Sequence, residues 1–400
     1  MLNASMFSPF LASAERPPLW LAIFALVLLL SGCAGQRRPP TAEDPALRRY
    51  AERAYQPERR YSAESLSESW LSSDPAAPGE IPVTLSLPRE AGRYPLIVYL
   101  PGLGEAADAG RAWRAAWVEA GYAVLSLQPA RFGPGALQGR YAKSADFTAL
   151  ARENYAASAL NERLRAVYSV LFELQKRVDR SMPPFDRLDL QQTVLAGYDL
   201  GAQTVQALLG EPTAGVSRPA LKHPPQAAIL LSPYANAAAG GFARRFGEIG
   251  RPVLMATATE DSDSFGVVTS LAARLAPFTY MPAGDKYLLL LSGGSHRLLS
   301  GGPLQAPEEG SAEPGEQRGA GGPPSGGGGG MGGGPGGPGG SAGGAMSAFP
   351  VASSARQIIA IQRLSVAFLD AQLKQDPIAR EWLARDAERW LEPVGELRRK

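Results

Sequence analysis

Thiol and imidazole are scarce in this chain of 400 residues, which has one cysteine, Cys33, and two histidines, His223 and His296. A single thiol excludes an internal disulfide framework and any multi-cysteine zinc site. No His-x-x-x-His or equivalent ligand spacing occurs, so neither a metal nor another cofactor is expected. Excess charge is missing too: 40 Lys and Arg stand against 38 Asp and Glu. With no basic stripe and no interleaved aromatics, a nucleic-acid role has no footing. Long apolar runs are also absent. The apolar stretch Leu19 to Leu30 falls well short of the roughly 20 residues a membrane-spanning helix needs.

That run has the length of a signal-peptide core, and Leu30-Ser31-Gly32-Cys33 follows it directly. The tetrapeptide resembles the lipobox of bacterial lipoproteins. The resemblance implies removal of residues 1–32 and acylation of Cys33, which would then tether the protein to a lipid bilayer. Each buried methylene of an acyl chain contributes about 0.8 kcal/mol, so a multiply acylated cysteine holds persistently. Ala34, where an aspartate would be the retention signal, implies outer-membrane sorting in a Gram-negative envelope, facing the periplasm. Residues 33–61, rich in Arg, Glu and Pro, are expected to be a polar tether.

From Ile81 onward strand-like apolar runs alternate with amphipathic helical ones, which predicts an α/β fold with a mostly parallel, doubly wound sheet flanked by helices. Strands are expected at 81–87, 96–100, 122–127, 227–231, 252–256 and 286–291, with another running into a turn near residue 199. Leu160, Leu164, Val167, Leu171 and Leu174 recur at helical spacing. The segment at about 301–348 is nearly all Gly, Pro, Ser and Glu and cannot bury enough apolar surface to order itself. It is expected to be a disordered insertion within one domain spanning 62–391, because helical periodicity resumes at Ile358. Residues 392–400 read as a polar tail.

Chemistry points to Val194-Leu195-Ala196-Gly197-Tyr198-Asp199-Leu200-Gly201-Ala202. A small-x-nucleophile-x-small turn bends the chain sharply between strand and helix, and Gly197 and Gly201 allow the two to approach. A serine hydrolase would carry serine where this chain carries Asp199. Later in the chain come the acidic run Glu260-Asp261-Ser262-Asp263 after one strand and His296 in a glycine-rich loop after another. In order and spacing these motifs resemble the α/β-hydrolase fold, most closely the bacterial relatives of dienelactone hydrolases and platelet-activating-factor acetylhydrolases. The resemblance covers about residues 81–391 without the Gly-rich insertion. It implies Asp199, Asp261 and His296 as the catalytic set, with Asp263 and Glu260 as competitors for the acid, and a small-molecule substrate. It also implies an oxyanion hole from the N–H groups of Leu103, in Pro101-Gly102-Leu103-Gly104, and Leu200. His223, among Lys222, Pro224 and Pro225, is expected to be a surface residue.

A carboxylate competes poorly for an unactivated ester, because its acyl product would be an anhydride. Its natural target is an sp³ carbon, where it displaces a leaving group to give an alkyl ester that histidine-activated water cleaves. Haloalkane dehalogenases and epoxide hydrolases carry Asp at this turn, usually with Trp after it; here Leu200 follows. Tyr198 instead resembles the Gly-Tyr-Cys turn of dienelactone hydrolases. Three readings stay open: hydrolysis through Asp199 as nucleophile, hydrolysis with Asp199 as general base or with a nearby serine such as Ser232, and a non-catalytic binding or scaffold lipoprotein.

Overall fold

The computed structural model describes residues 44–75, 79–236, 240–263, 265–268, 270–303, 351–392 and 394–400. The expected signal peptide, Cys33, the first part of the tether and nearly all of the Gly-rich insertion lie outside the described residues.

Nine strands among the described residues form one sheet: β1 Ala63–Leu71, β2 Glu80–Pro88, β3 Tyr94–Leu100, β4 Ala123–Leu127, β5 Leu188–Tyr198, β6 Ala227–Leu231, β7 Val253–Glu260, β8 Lys286–Ser295 and β9 Gly395–Arg399. Their order is β1-β2-β4-β3-β5-β6-β7-β8-β9. The six strands from β4 to β8 pair in parallel, while β1, β2 and β9 run antiparallel to their neighbours. The chain is therefore an α/β protein with a mostly parallel sheet flanked by helices, as its alternating pattern predicts.

Burial on both faces explains why the inner strands are apolar without alternation. Every residue of β4 and of β6 is buried. On one face lie α2 (Arg111–Glu119) and the long helix Val351–Leu373, which bring Trp113, Trp117, Leu364 and Phe368 into one core. On the other lie Ala157–Asp179 and Leu200–Leu209, with Leu160, Leu164, Val167 and Val205. A smaller cluster gathers at the C-terminal ends of the parallel strands, where Leu103, Phe132, Leu150, Tyr155, Leu200 and Tyr234 pack together. Strand order reverses on either side of β3, and in parallel sheets the crevice at such a point, beyond the strand ends, is where ligands bind.

Two expectations are corrected. Residues 44–61 belong to the domain rather than to a tether, because α1 (Pro45–Glu52) packs through Leu47 and is capped by Asp44, whose Oδ1 accepts the Ala46 N–H at 2.8 Å. Beyond it Tyr55 is buried, and its hydroxyl donates within the carboxylate pair Asp370 and Asp376, at 2.7 and 2.5 Å. The polar tail 392–400 contains β9, an edge strand that buries Leu397 while its other side chains face outward. β2 and β3 follow one another in sequence without being neighbours in the sheet. β2 pairs with β4 and with β1, a strand too polar to stand out from the sequence.

Candidate active site

Asp199 occupies the bend between β5 and the helix Leu200–Leu209, with φ 50° and ψ −109°. A side chain there strains the backbone, at a cost of about 1–3 kcal/mol. The glycines make the bend possible by close approach rather than by unusual dihedrals. A Cβ on Gly201 would stand 1.9 Å from the Leu100 carbonyl oxygen, and one on Gly197 would stand 2.5 Å from the Gly201 backbone. The Asp199 N–H donates to the Leu231 carbonyl at 3.0 Å, which pins the turn to the end of β6.

His296 follows β8 and brings its ring between two carboxylates. Nδ1 lies 2.7 Å from Asp261 Oδ1, and Nε2 lies 3.7 Å from Asp199 Oδ1. The first is a hydrogen bond and the second is beyond one. Although burial favours the protonated acid, the bond from His296 and the charge of Arg274 hold Asp261 below the usual carboxylate range. An ionised Asp261 places the ring proton on Nδ1 and leaves Nε2 facing Asp199 as the basic nitrogen. Against burial, which favours a neutral ring, the Asp261 bond and the Asp199 charge raise the His296 pKa.

The acidic run after β7 divides by role. Asp261 is buried and receives Ser232 Oγ and Thr257 Oγ1 at 2.7 Å each, besides His296. Asp263 turns back on its own loop, where its carboxylate accepts the N–H groups of Phe265, Val267 and Val268. Glu260 is exposed. Ser232 is buried and sits on the Nδ1 side of His296, donating to Asp261. That placement puts it on the side of the ring away from Asp199, where it braces the Asp261 carboxylate. His223 lies half-buried and bonds Gln175 Oε1 at 2.7 Å, away from this site.

After β3, the Gly102 N–H is taken by Glu105 Oε2 at 2.8 Å and the Gly104 N–H by the Phe132 carbonyl at 2.8 Å. Leu103 N–H, between them, has no acceptor among the described residues, and neither has Leu200 N–H at the start of its helix. Gly102 is needed for contact: a Cβ there would meet the Tyr198 ring at 2.7 Å. Tyr198 in turn holds the histidine loop, its hydroxyl donating to the His296 carbonyl at 3.1 Å.

Three site residues carry no signal in the sequence pattern. Glu105 is pushed up to about 7, mainly by burial and then by the charge of Asp199, with the Gly102 N–H opposing. Arg274 is fully buried behind the acid, donating to the carbonyls of Asp261, Ser232 and Pro233. Tyr155 is buried beside the Asp199 turn, and burial, the Asp199 charge and a hydrogen bond to the Asp199 carboxylate push its hydroxyl well above the ordinary phenol value. No motif marks these three. Glu105 comes directly after the Pro-Gly-x-Gly run and is the most findable, whereas Tyr155 and Arg274 reach the site only through the fold.

Comparison with protein-family models and with curated proteins finds no match for this chain.

Proposed function

We propose that this protein is a hydrolase of the α/β-hydrolase fold, held at the bacterial envelope by an acylated Cys33, that acts on a small electrophilic substrate through Asp199, Asp261 and His296. The observation that carries the reading is the strained bend presenting a carboxylate 3.7 Å from the free nitrogen of a histidine whose other nitrogen is fixed at 2.7 Å by a second carboxylate. Strain of this kind is retained where a side chain must be aimed.

The chemistry favours an sp³ carbon over an ester. An Asp199 oxygen forms a bond to carbon while the leaving group departs with its electron pair, giving an alkyl ester on the protein. The gap to Nε2 leaves the attacking lone pair free of the imidazole. Where the leaving atom is an oxygen still attached to the substrate, as in an epoxide, the Tyr155 hydroxyl beside Asp199 is the nearest donor that could turn to it and supply a proton. His296 Nε2 then takes a proton from water as its oxygen attacks the Asp199 carbonyl carbon. The N–H groups of Leu103 and Leu200 bind the oxyanion that forms. As it collapses, the imidazolium returns its proton to the departing oxygen, so an alcohol leaves and Asp199 is restored once its carboxyl proton is given up to solvent or to Tyr155. Asp261 positions the ring and stabilises the imidazolium, braced by Arg274, Ser232 and Thr257.

A single turnover in H₂¹⁸O tests the route, with styrene oxide as the probe. Attack by Asp199 leaves the heavy oxygen in the Asp199 carboxylate and none in the first product molecule. Label in that first product would mean that Asp199 acts as a general base on water, which contradicts the covalent route.

A further inference from the structure

Far from the turn in sequence, α1, the helix Val351–Leu373 and the helices Pro377–Arg385 and Ala387–Leu391 border a wide-mouthed surface cavity of about 600 Å³. Four arginines line it, Arg49, Arg53, Arg356 and Arg389, against the two carboxylates Asp386 and Glu392, an excess of two positive charges. None of the four guanidinium groups has an ion-pair partner among the described residues. Elsewhere the same helices do pair their arginines: Arg48 lies 3.9 Å from Glu52, and Arg385 lies 2.8 Å from Glu381.

Two further groups at this cavity are unsatisfied. Arg356 Nε and the Tyr50 hydroxyl are both buried without a hydrogen-bond partner among the described residues. Leaving such groups unmet is unfavourable, and a ligand with several acceptor oxygens would satisfy them. The aromatic wall is fixed before any ligand arrives. Tyr50 and Trp390 stack with ring centroids 4.5 Å apart and planes 12° apart, and Trp390 Nε1 donates to the Tyr50 carbonyl at 3.0 Å. Trp382 backs them at 5.5 Å.

We infer that this cavity binds a phosphate-bearing ligand, with the phosphate among Arg49, Arg53, Arg356 and Arg389 and the remainder against the Tyr50–Trp390 wall. A dianionic phosphate matches the excess of two charges, and guanidinium forks match its oxygens in geometry. A single carboxylate would leave one charge and most of the donors unmet. Two sources share this chemistry, a phospholipid headgroup and a soluble phosphate ester. The site is separate from the proposed catalytic one and does not depend on its activity.

Calorimetric titration of the full chain carrying Cys33→Ser, so that no acyl anchor contributes, distinguishes the outcomes. The probes are glycerol 3-phosphate and dihexanoyl phosphatidate below its micelle concentration, with dihexanoyl phosphatidylcholine as the zwitterionic control. At least one phosphate probe is expected to bind with a submillimolar Kd and the control at least tenfold more weakly. The Arg356→Gln/Arg389→Gln double variant should lose at least tenfold in affinity, and Arg385→Gln should lose nothing. Phosphatidate binding tenfold tighter than glycerol 3-phosphate assigns the site to a lipid headgroup; equal binding assigns it to a soluble ester. A second pair, Arg49→Gln/Arg53→Gln on the exposed face of α1, gives the same reading should the first variant fold poorly by circular dichroism. Absence of binding by both phosphate probes, or affinity unchanged in a folded double variant, overturns the inference.

Discussion

Replacing Asp199 by glycine separates what the bend costs from what the carboxylate does. Glycine adopts φ 50°, ψ −109° without a Cβ clash, so Asp199→Gly is expected to raise unfolding stability by about 1 kcal/mol while abolishing turnover. Denaturant titration alongside an activity assay checks both; a loss of stability would mean that the bend is not strained. Glu105 gives the residue-scale pH dependence. Its folded pKa, pushed up to about 7 chiefly by burial, lies above its unfolded value, so the folded protein holds this proton more tightly. Stability from this group is present at low pH and is lost as pH rises to about 7. Glu105→Gln keeps an acceptor for the Gly102 N–H and removes the titration. The variant is therefore expected to gain on the wild type by about 2 kcal/mol between pH 5 and 8, read as the difference between the two unfolding curves across that range. Parallel curves would show that Glu105 does not titrate there.

At the scale of elements, the parts legible in the sequence share one property. Strands such as β6, Ala227–Leu231, and the helix carrying Leu160 to Leu174 are buried by neighbours on a regular lattice, so their apolar spacing repeats in the sequence. The elements that leave no such pattern sit at edges. β1 reads Ala-Glu-Ser-Leu-Ser-Glu-Ser-Trp-Leu and β9 reads Gly-Glu-Leu-Arg-Arg, and both are held by pairing on one side more than by apolar burial. α1 and Tyr55 are hidden for a related reason, since their anchor is polar. The Tyr55 hydroxyl meets Asp370, which is buried and also receives the Tyr122 hydroxyl at 2.6 Å. Tyr55→Phe leaves these carboxylates short of a donor and is expected to cost about 1–3 kcal/mol. Urea denaturation measures it, and an unchanged midpoint would mean that residues 44–61 contribute packing alone.

For the whole molecule, strand order turns separate sequence motifs into one site. Asp199, Asp261 and His296 are distant in sequence, yet they come directly after β5, β7 and β8, and the loops that leave parallel strands all emerge at the same edge of the sheet. That is why order along the chain is enough to bring these three together, once the resemblance has singled them out. Tyr155 and Arg274 cannot be placed this way, because each comes from a helical segment whose path over the sheet edge leaves no periodic trace. The separation of Asp261 from Asp263 likewise needs the fold, since neighbouring acids differ only in what they face. The most direct test of the account is the intact mass of His296→Gln after incubation with styrene oxide or 1-bromobutane, followed by peptide mapping. With the water-activating base removed, the alkyl ester should persist, adding the whole epoxide mass or a butyl group in place of one proton, at Asp199. No adduct on Asp199, with turnover of the same substrate undiminished in Asp199→Ala, would contradict it.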